Sequence, residues 1–307
     1  MLEVYAYNAG KGDCIRIRFG EGHNIFVDSG VIRFAKSFIQ ICSDIIAAGE
    51  KLDVLILTHV DDDHIGGILS FLRANQRCPF DEVWMNHTGK IELGNALLST
   101  RQNDEVYARL LKQNIKVKRM LKGDCYTRDA ANITTLSPAM IIEDNRSADV
   151  PLAYYRDVGL PLSRLSDMPI QRKDSSISNK NSIVFIFEYR GKRILFTGDA
   201  WAEDIVSGLG DNRQKFDLIK LPHHGSVGNI SENLLEQVDC NDFLICADGR
   251  MHPDKQTIAK LLKGRANIRV YSPVAWWEHN FFMSNDNIHG ASFIRIQQEG
   301  KVCKWQV

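Results

Sequence analysis

The sequence predicts an α/β fold with a layered core, and three observations carry that expectation. Short apolar runs at residues 4–7, 14–19, 24–27, 54–57 and 82–85 have the length and the bounding turn residues of buried strands. Amphipathic patterns lie between them, at 34–48 with Phe38, Ile39, Ile41, Ile45 and Ile46 apolar, and at 65–74. Strands that alternate with helices must bury one face on another layer. At 307 residues the chain can build one large domain or two small ones.

Each element follows in order. The first two strands flank Asn8-Ala9-Gly10-Lys11-Gly12-Asp13, a turn-rich loop, and the third ends in Asp28-Ser29-Gly30. Residues 93–120 read as helical and polar. Residues 137–178 are irregular, with Pro138, Pro151, Pro161 and Pro169. The expected organisation is a single domain over 1–307, with an insertion or lid at about 88–178. Residues 182–189 and 194–197 form a hairpin around Arg190-Gly191. Further strands are expected at 216–221, 243–246 and 268–271, with a helix ending near 262. Residues 292–296 and 302–307 read as a closing hairpin.

Composition narrows the classes. Lys+Arg and Asp+Glu are both 38, so no global field draws the chain to nucleic acid or to anionic membrane. Bound metals would still supply local positive charge. The local basic cluster Lys112, Lys116, Lys118, Arg119 and Lys122 reads first as a solvated face. The seven Cys are scattered and form no Cys-x-x-Cys pair. That excludes a disulfide framework or a zinc ribbon and points to a reducing, cytoplasmic compartment. The chain opens as a strand, and no run of eighteen apolar residues marks a membrane span.

Chemistry concentrates in Thr58-His59-Val60-Asp61-Asp62-Asp63-His64-Ile65-Gly66-Gly67. Three adjacent carboxylates repel each other unless cations sit among them. His59 and Asp61 are two apart and can point the same way, while Asp63 and His64 turn toward a second position. Asp28, Asp199 and His223-His224 also follow apolar strands. Polar residues at several strand ends can gather on loops held by one rigid sheet.

These segments resemble the metallo-β-lactamase family, and within it the ComEC-type β-lactamase-like domain of a competence protein. The matching residues are Gly10-Lys11-Gly12-Asp13, Asp28-Ser29-Gly30, Thr58 to Gly67, Asn179 to Ser182, Thr197-Gly198-Asp199, Pro222-His223-His224-Gly225-Ser226 and His252-Pro253. Two departures bear on substrate. Lys11 stands where that branch has Gln, and Asp248-Gly249-Arg250-Met251 replaces its Asn-x-Tyr-Gly. The resemblance implies an αββα sandwich and two divalent metal ions. His59 and Asp61 would hold one, Asp63 and His64 the other. Asp199 would bridge them, and His223 or His224 would complete the second site. The family's middle histidine is replaced by Asn181 or Ser182. The first site is therefore rich in oxygen, which leaves Zn²⁺ and Mn²⁺ both open. Asp28 and Asn181 are expected behind the ligands, orienting them. His87 is a reserve ligand.

The implied activity is a metal-dependent phosphodiesterase or nuclease acting on DNA, RNA or a nucleotide through a dinuclear metal-activated hydroxide. In it Asp63 orients the hydroxide, His252 protonates the leaving oxygen, and Lys11 and Ser226 hold phosphate oxygens. The same centre could instead open a thioester, lactone, β-lactam or peptide bond, or the fold could serve binding without catalysis. The sequence names no protein partner or oligomer.

Overall fold

Alternation along the strands gives both faces of each sheet something to bury. In a computed structural model, which describes residues 1–87, 98–143, 157–295 and 302–306, this produces two packed sheets with helices outside. The N-terminal sheet is built from β1 (Leu2–Tyr7), β2 (Ile15–Phe19), β3 (His23–Val27), β4 (Val54–Leu57), β5 (Glu82–Met85) and β6 (Lys116–Lys118). Its helices are α1 (Ala35–Ala47), α2 (Asp62–Arg73) and α3 (Leu98–Lys112). The second sheet takes β7 (Cys125–Arg128), β8 (Ala131–Ser137), β9 (Val184–Tyr189) and β10 (Lys192–Phe196). Short helices α4 (Leu162–Asp167) and α5 (Ile177–Lys180) precede β9, and α6 (Ala202–Leu209) follows β10. A small pair, β11 (Gln214–Lys215) and β13 (Val238–Asp239), flanks β12 (Leu218–Lys220) and α7 (Glu232–Gln237). The sheet continues through β14 (Asp242–Leu244), α8 (Lys255–Leu262), β15 (Ile268–Tyr271) and β16 (Ala291–Ile294); the last strand is β17 (Val302–Gln306).

The orders are β17-β1-β2-β3-β4-β5-β6 and β16-β15-β14-β12-β10-β9-β8-β7. Ile25, Val27, Val54, Ile56 and Trp84 from the first sheet meet Phe185, Phe187, Phe196 and Leu218 from the second. The opposite pleat of the first sheet, with Phe26 and Leu55, packs on Phe38 and Ile45 of α1, Ile68 and Leu72 of α2, and Val106 and Leu110 of α3. The outer pleat of the second sheet, with Val184, Ile186 and Ile219, packs on Ile205, Leu234 and Ile258. The result is an αββα sandwich, the fold class that the motif set implies. Among the described residues no helix is long and apolar enough to cross a membrane.

Three sequence expectations change. Residues 88–178 are more than an insertion, because they supply β6 to one sheet and β7 and β8 to the other; residues 88–97 and 144–156 lie outside the described residues. The two C-terminal strands do not pair as a hairpin. β16 joins β15 in parallel, whereas β17 crosses to β1 in the other sheet, so each covers an open sheet edge. Finally, α2 begins at Asp62 rather than near Ile65, which places Asp62 and Asp63 in its first turn, where the helix dipole favours anions.

Candidate metal centre

The centre lies where strand ends of both sheets meet. The first four donors follow β4. Thr58 is held by Asp28: its backbone N–H donates to Asp28 Oδ1 at 2.8 Å and its hydroxyl to Asp28 Oδ2 at 2.8 Å. The same Oδ2 lies 2.8 Å from His64 Nδ1. Thr58 Oγ1 is 3.0 Å from His59 Nδ1, and as a donor to Asp28 it has a lone pair for that N–H. Asp28 adopts φ 60, a region that non-glycine residues rarely enter, and it is fully buried. Its loop is stitched to α2, since Ser29 N donates to His64 O at 2.8 Å and Gly67 N to Gly30 O at 3.0 Å.

Two glycines let the loops close. A Cβ on Gly12 would collide with the backbone carbonyl of Asp63. Gly198 has φ 50 and sits between Thr58 and Ser182, each of whose Cβ atoms would lie 3.0 Å from an added Cβ. It delivers Asp199 from the end of β10 into the centre, where the Asp199 N–H donates to Ser182 Oγ at 3.1 Å.

The donors converge on one atom. Asp199 Oδ2 lies 4.0 Å from His59 Nε2, 3.5 Å from His64 Nε2, 3.7 Å from His223 Nε2 and 3.5 Å from His224 Nε2. On one side Asp61 Oδ2 is 3.6 Å from His59 Nε2, and its other oxygen accepts from Ser178 Oγ at 2.7 Å. On the other side Asp63 Oδ2 is 3.8 Å from His224 Nε2. The Nε2 atoms of His59, His64 and His224 are buried and make no hydrogen bond. The Nδ1 atom of each is engaged: His59 by Thr58, His64 by Asp28, and His224 by Cys246 O at 2.8 Å and Asp13 Oδ1 at 3.1 Å. Those partners favour the tautomer with Nε2 as a lone-pair donor. Three orphaned imidazole nitrogens among three carboxylates fit divalent cations, and they fall into compact groups: His59, His64 and Asp199; Asp63, His64 and His224.

The electrostatics agree. Burial would raise the Asp199 pKa, but His224, His64, His223 and the Lys220 ammonium hold it well below the ordinary value. Burial would lower that of His64, but the carboxylates of Asp199 and Asp28 drive it well up. His223 is likewise raised to about 9, against its burial, by Asp199 and Asp174. Without metal the carboxylates favour a proton on His64 and on His223; a cation would supply that charge instead.

Between His223 and His224, the geometry puts His224 in the second donor group. His223 stands at the open side, half-buried and lining the cleft, with Nδ1 2.9 Å from Asn229 Oδ1 and 3.3 Å from Asp174 Oδ2. Both residues have positive φ, 45 and 55.

Several expected site residues lie elsewhere. Asn181 does not back a ligand: its amide pairs with Ile142 at both ends, accepting from N at 2.9 Å and donating to O at 2.8 Å. Asn179, two residues earlier, is the one beside His223, at 3.3 Å. Ser226 is buried and its hydroxyl caps a 3-10 turn through Gly228 N, which removes it from the cleft. His87 belongs to none of the donor groups; it is buried, 2.8 Å from Asp104 Oδ1 and stacked 4.0 Å from the Tyr107 ring. Lys11 does line the cleft, but its ammonium is taken by Asp62 at 3.3 Å and Asp63 at 3.4 Å. His252 lines it too, 5.1 Å from the His223 ring. Burial, then His223 and His224, push the His252 pKa down to about 2, which disfavours its imidazolium in the metal-free chain. The basic cluster is partly spent: Lys116 pairs with Glu82 at 2.6 Å, and Lys122 donates to Ser207 O at 2.8 Å.

One group escaped the sequence reading. Lys220 is buried inside the second sheet, with Nζ 2.5 Å from Asp13 Oδ2, 2.8 Å from Gly198 O and 3.5 Å from Asp199 Oδ1. Asp13 in turn holds His224, so one ammonium ties Asp199 of the first group to His224 of the second. A lysine within the run Leu218-Ile219-Lys220-Leu221 is the signal, because lysine is almost never fully buried unless paired.

Residues 7–79 match a family model described as the metallo-beta-lactamase superfamily. ComE operon protein 3 of Bacillus subtilis (strain 168) is 22% identical over 299 residues, which cover 88% of this chain and 33% of that protein. The chain thus spans about a third of the length of that relative. Among solved structures, the CmlA beta-hydroxylase E377D mutant superposes with a TM-score of 0.50 at 11% identity, over 99% of this chain and 54% of that one. The metallo-beta-lactamase fold protein YhfI from Bacillus subtilis gives a TM-score of 0.44 at 14% identity, over 79% of this chain and 85% of that one. The αββα sandwich is thus metallo-β-lactamase-like in fold, residues 7–79 carry that superfamily's sequence pattern, and the sequence is similar to a ComE operon protein.

Proposed function

We propose that this metallo-β-lactamase-fold chain is a metal-dependent hydrolase of phosphodiesters, with Zn²⁺ or Mn²⁺ held by His59, Asp61, Asp63, His64, Asp199 and His224. The observation that carries the metal requirement is the meeting of three buried, unbonded Nε2 atoms around Asp199 Oδ2. When bound, a pair of divalent ions supplies Lewis-acid polarisation and activation of water at neutral pH.

The chain's own residues do the rest. Asp28 and Asp13 fix the rings of His64 and His224, and Ser178 fixes Asp61. Asp63, half-buried at the cleft floor, is placed to orient a water on the side facing Lys11. The contact with a leaving oxygen is assigned to His223 in place of His252. Asn229 and Asp174 hold its Nδ1, and its ring faces the cleft. The phosphodiester rather than thioester or lactone reading is supported by the ComEC-like motif set. Two cationic side chains on the cleft wall, Arg33 and Arg250, support it too.

Hydrolysis of bis(p-nitrophenyl) phosphate tests it. Metal-stripped protein is expected to be inactive, activity to return with Mn²⁺ or Zn²⁺, and His64→Ala to stay inactive under both. Metal binding without turnover would move the assignment to the non-phosphate substrates.

A further inference from the structure

The cleft is larger than the chemistry on its floor requires. Its volume is 740 Å³, within the range of about 300–1,000 Å³ that suits whole small-molecule ligands. The wall away from the donors combines two features. Seven large apolar side chains are exposed among the described residues, and two of them, Ile32 and Met251, line this one cleft. Beside them stand two guanidinium groups. Arg33 lies over the loop at Gly10, its Nη2 2.7 Å from where a Cβ of that glycine would be. No ion pair or hydrogen bond holds the Arg33 guanidinium among the described residues. Arg250 has only a loose contact, Nε to Asp248 Oδ2 at 3.7 Å, and is 80% exposed. Lys11, by contrast, is already committed to Asp62 and Asp63.

We propose that Arg33, assisted by Arg250, is a subsite for a second anionic group of the substrate, and that Ile32 and Met251 form the wall for an apolar ring next to it. The substrate class that fits is a nucleotide-type phosphodiester carrying a terminal phosphate beyond the bond that is cleaved. This rests on the phosphodiesterase reading. A free guanidinium offers a planar fork that matches phosphate oxygens two at a time. A carboxylate-rich floor attracts no anion by itself, so a cation set apart from the metals gives the incoming chain its register. A simple dialkyl phosphate would leave both the fork and the apolar wall unused.

The test is equilibrium binding of a thymidine dinucleotide with and without a 5′-phosphate, measured with Ca²⁺ in place of a catalytic metal. Wild-type protein is expected to bind the phosphorylated form about tenfold more tightly at low salt, the usual scale of one charge-assisted contact. That preference should shrink as salt rises, since the pair is exposed. Arg33→Ala should bring the ratio close to one, and Met251→Ser should weaken both dinucleotides alike. A wild-type ratio below about twofold, or a full ratio surviving in Arg33→Ala, overturns the subsite. Turnover of the unphosphorylated dinucleotide with Mn²⁺ is scored separately. Binding discrimination without cleavage refutes the phosphodiesterase reading while supporting the subsite.

Discussion

Replacing Lys220 with Met keeps most of the stem and removes the ammonium. Asp13 then loses a cation 2.5 Å away, in a place where neither side chain meets solvent. The Asp199 Oδ1 atom loses its partner at 3.5 Å as well, so two buried carboxylates face one gap. Opening a buried ion pair from one side costs about 3–5 kcal/mol, because the remaining charge is stranded. Against a total of about 5–15 kcal/mol for a domain, that is a large loss. Divalent cations at Asp199 and His224 would offset part of the repulsion, so the deficit should be largest in stripped protein and smaller in loaded protein. The assay is urea unfolding followed by tryptophan fluorescence, the chain having five Trp, with chelator and with Mn²⁺. Adding Asp13→Asn should recover a large part of the loss, since a neutral amide needs no counter-charge. A loss under about 1 kcal/mol in stripped protein, or no recovery in the double variant, would refute the reasoning.

Other consequences are as direct. Asp28→Asn should lower metal affinity about 10–100-fold, measured by chelator competition, because it loosens the ring of His64. Metal at a hundred times its Kd should stabilise the fold by about 2.7 kcal/mol, read as a rise in Tm that Asp199→Ala abolishes. In metal-free protein the pKa values of His64 and His223 lie above their unfolded values. Their contribution is therefore complete below the ordinary histidine value of 6.5 and fades as pH rises through about 9 for His223. Asp199 is depressed, so its contribution is complete above 3.8 and fades in acid. Stripped protein should thus be most stable between those limits. The metal-induced rise in Tm should grow as pH rises above 6.5, as the competing proton leaves His64; a flat profile would contradict the donor assignment. His252→Gln should leave the acid limb of the activity profile unmoved, since burial disfavours the charged form of His252.

Much of this was legible in the sequence, for a physical reason. His59, Asp61, Asp63, His64 and Asp199 stand at the ends of short apolar strands, where carboxylates and imidazoles have no structural use. The choice between His223 and His224 was not legible. Two successive residues with positive φ turn their side chains in directions that spacing does not encode. Asp174 and Ser178 were hidden by an irregular, proline-containing stretch whose course only tertiary packing sets; it turned out to wall the centre. Strand partners at the sheet edges were also beyond local reading, because β16 and β17 are similar short runs that pair with elements far apart in sequence. Ser226 shows the opposite failure: a polar residue in a functional motif was needed by the backbone of its own turn.

The shared position of Asp199 has a mechanical meaning. His59, Asp61, Asp63 and His64 leave one sheet, and Asp199 and His224 leave the other, so a coordinated ion would act as a rivet through both layers. Neither half of the chain carries a complete socket. Two fragments cut between β6 and β7 should reassociate more tightly with free divalent cation, and chelation should weaken their association. The same rivet would slow the sliding of one sheet over the other in the intact chain, so that resistance to proteolysis becomes a readout of metal occupancy.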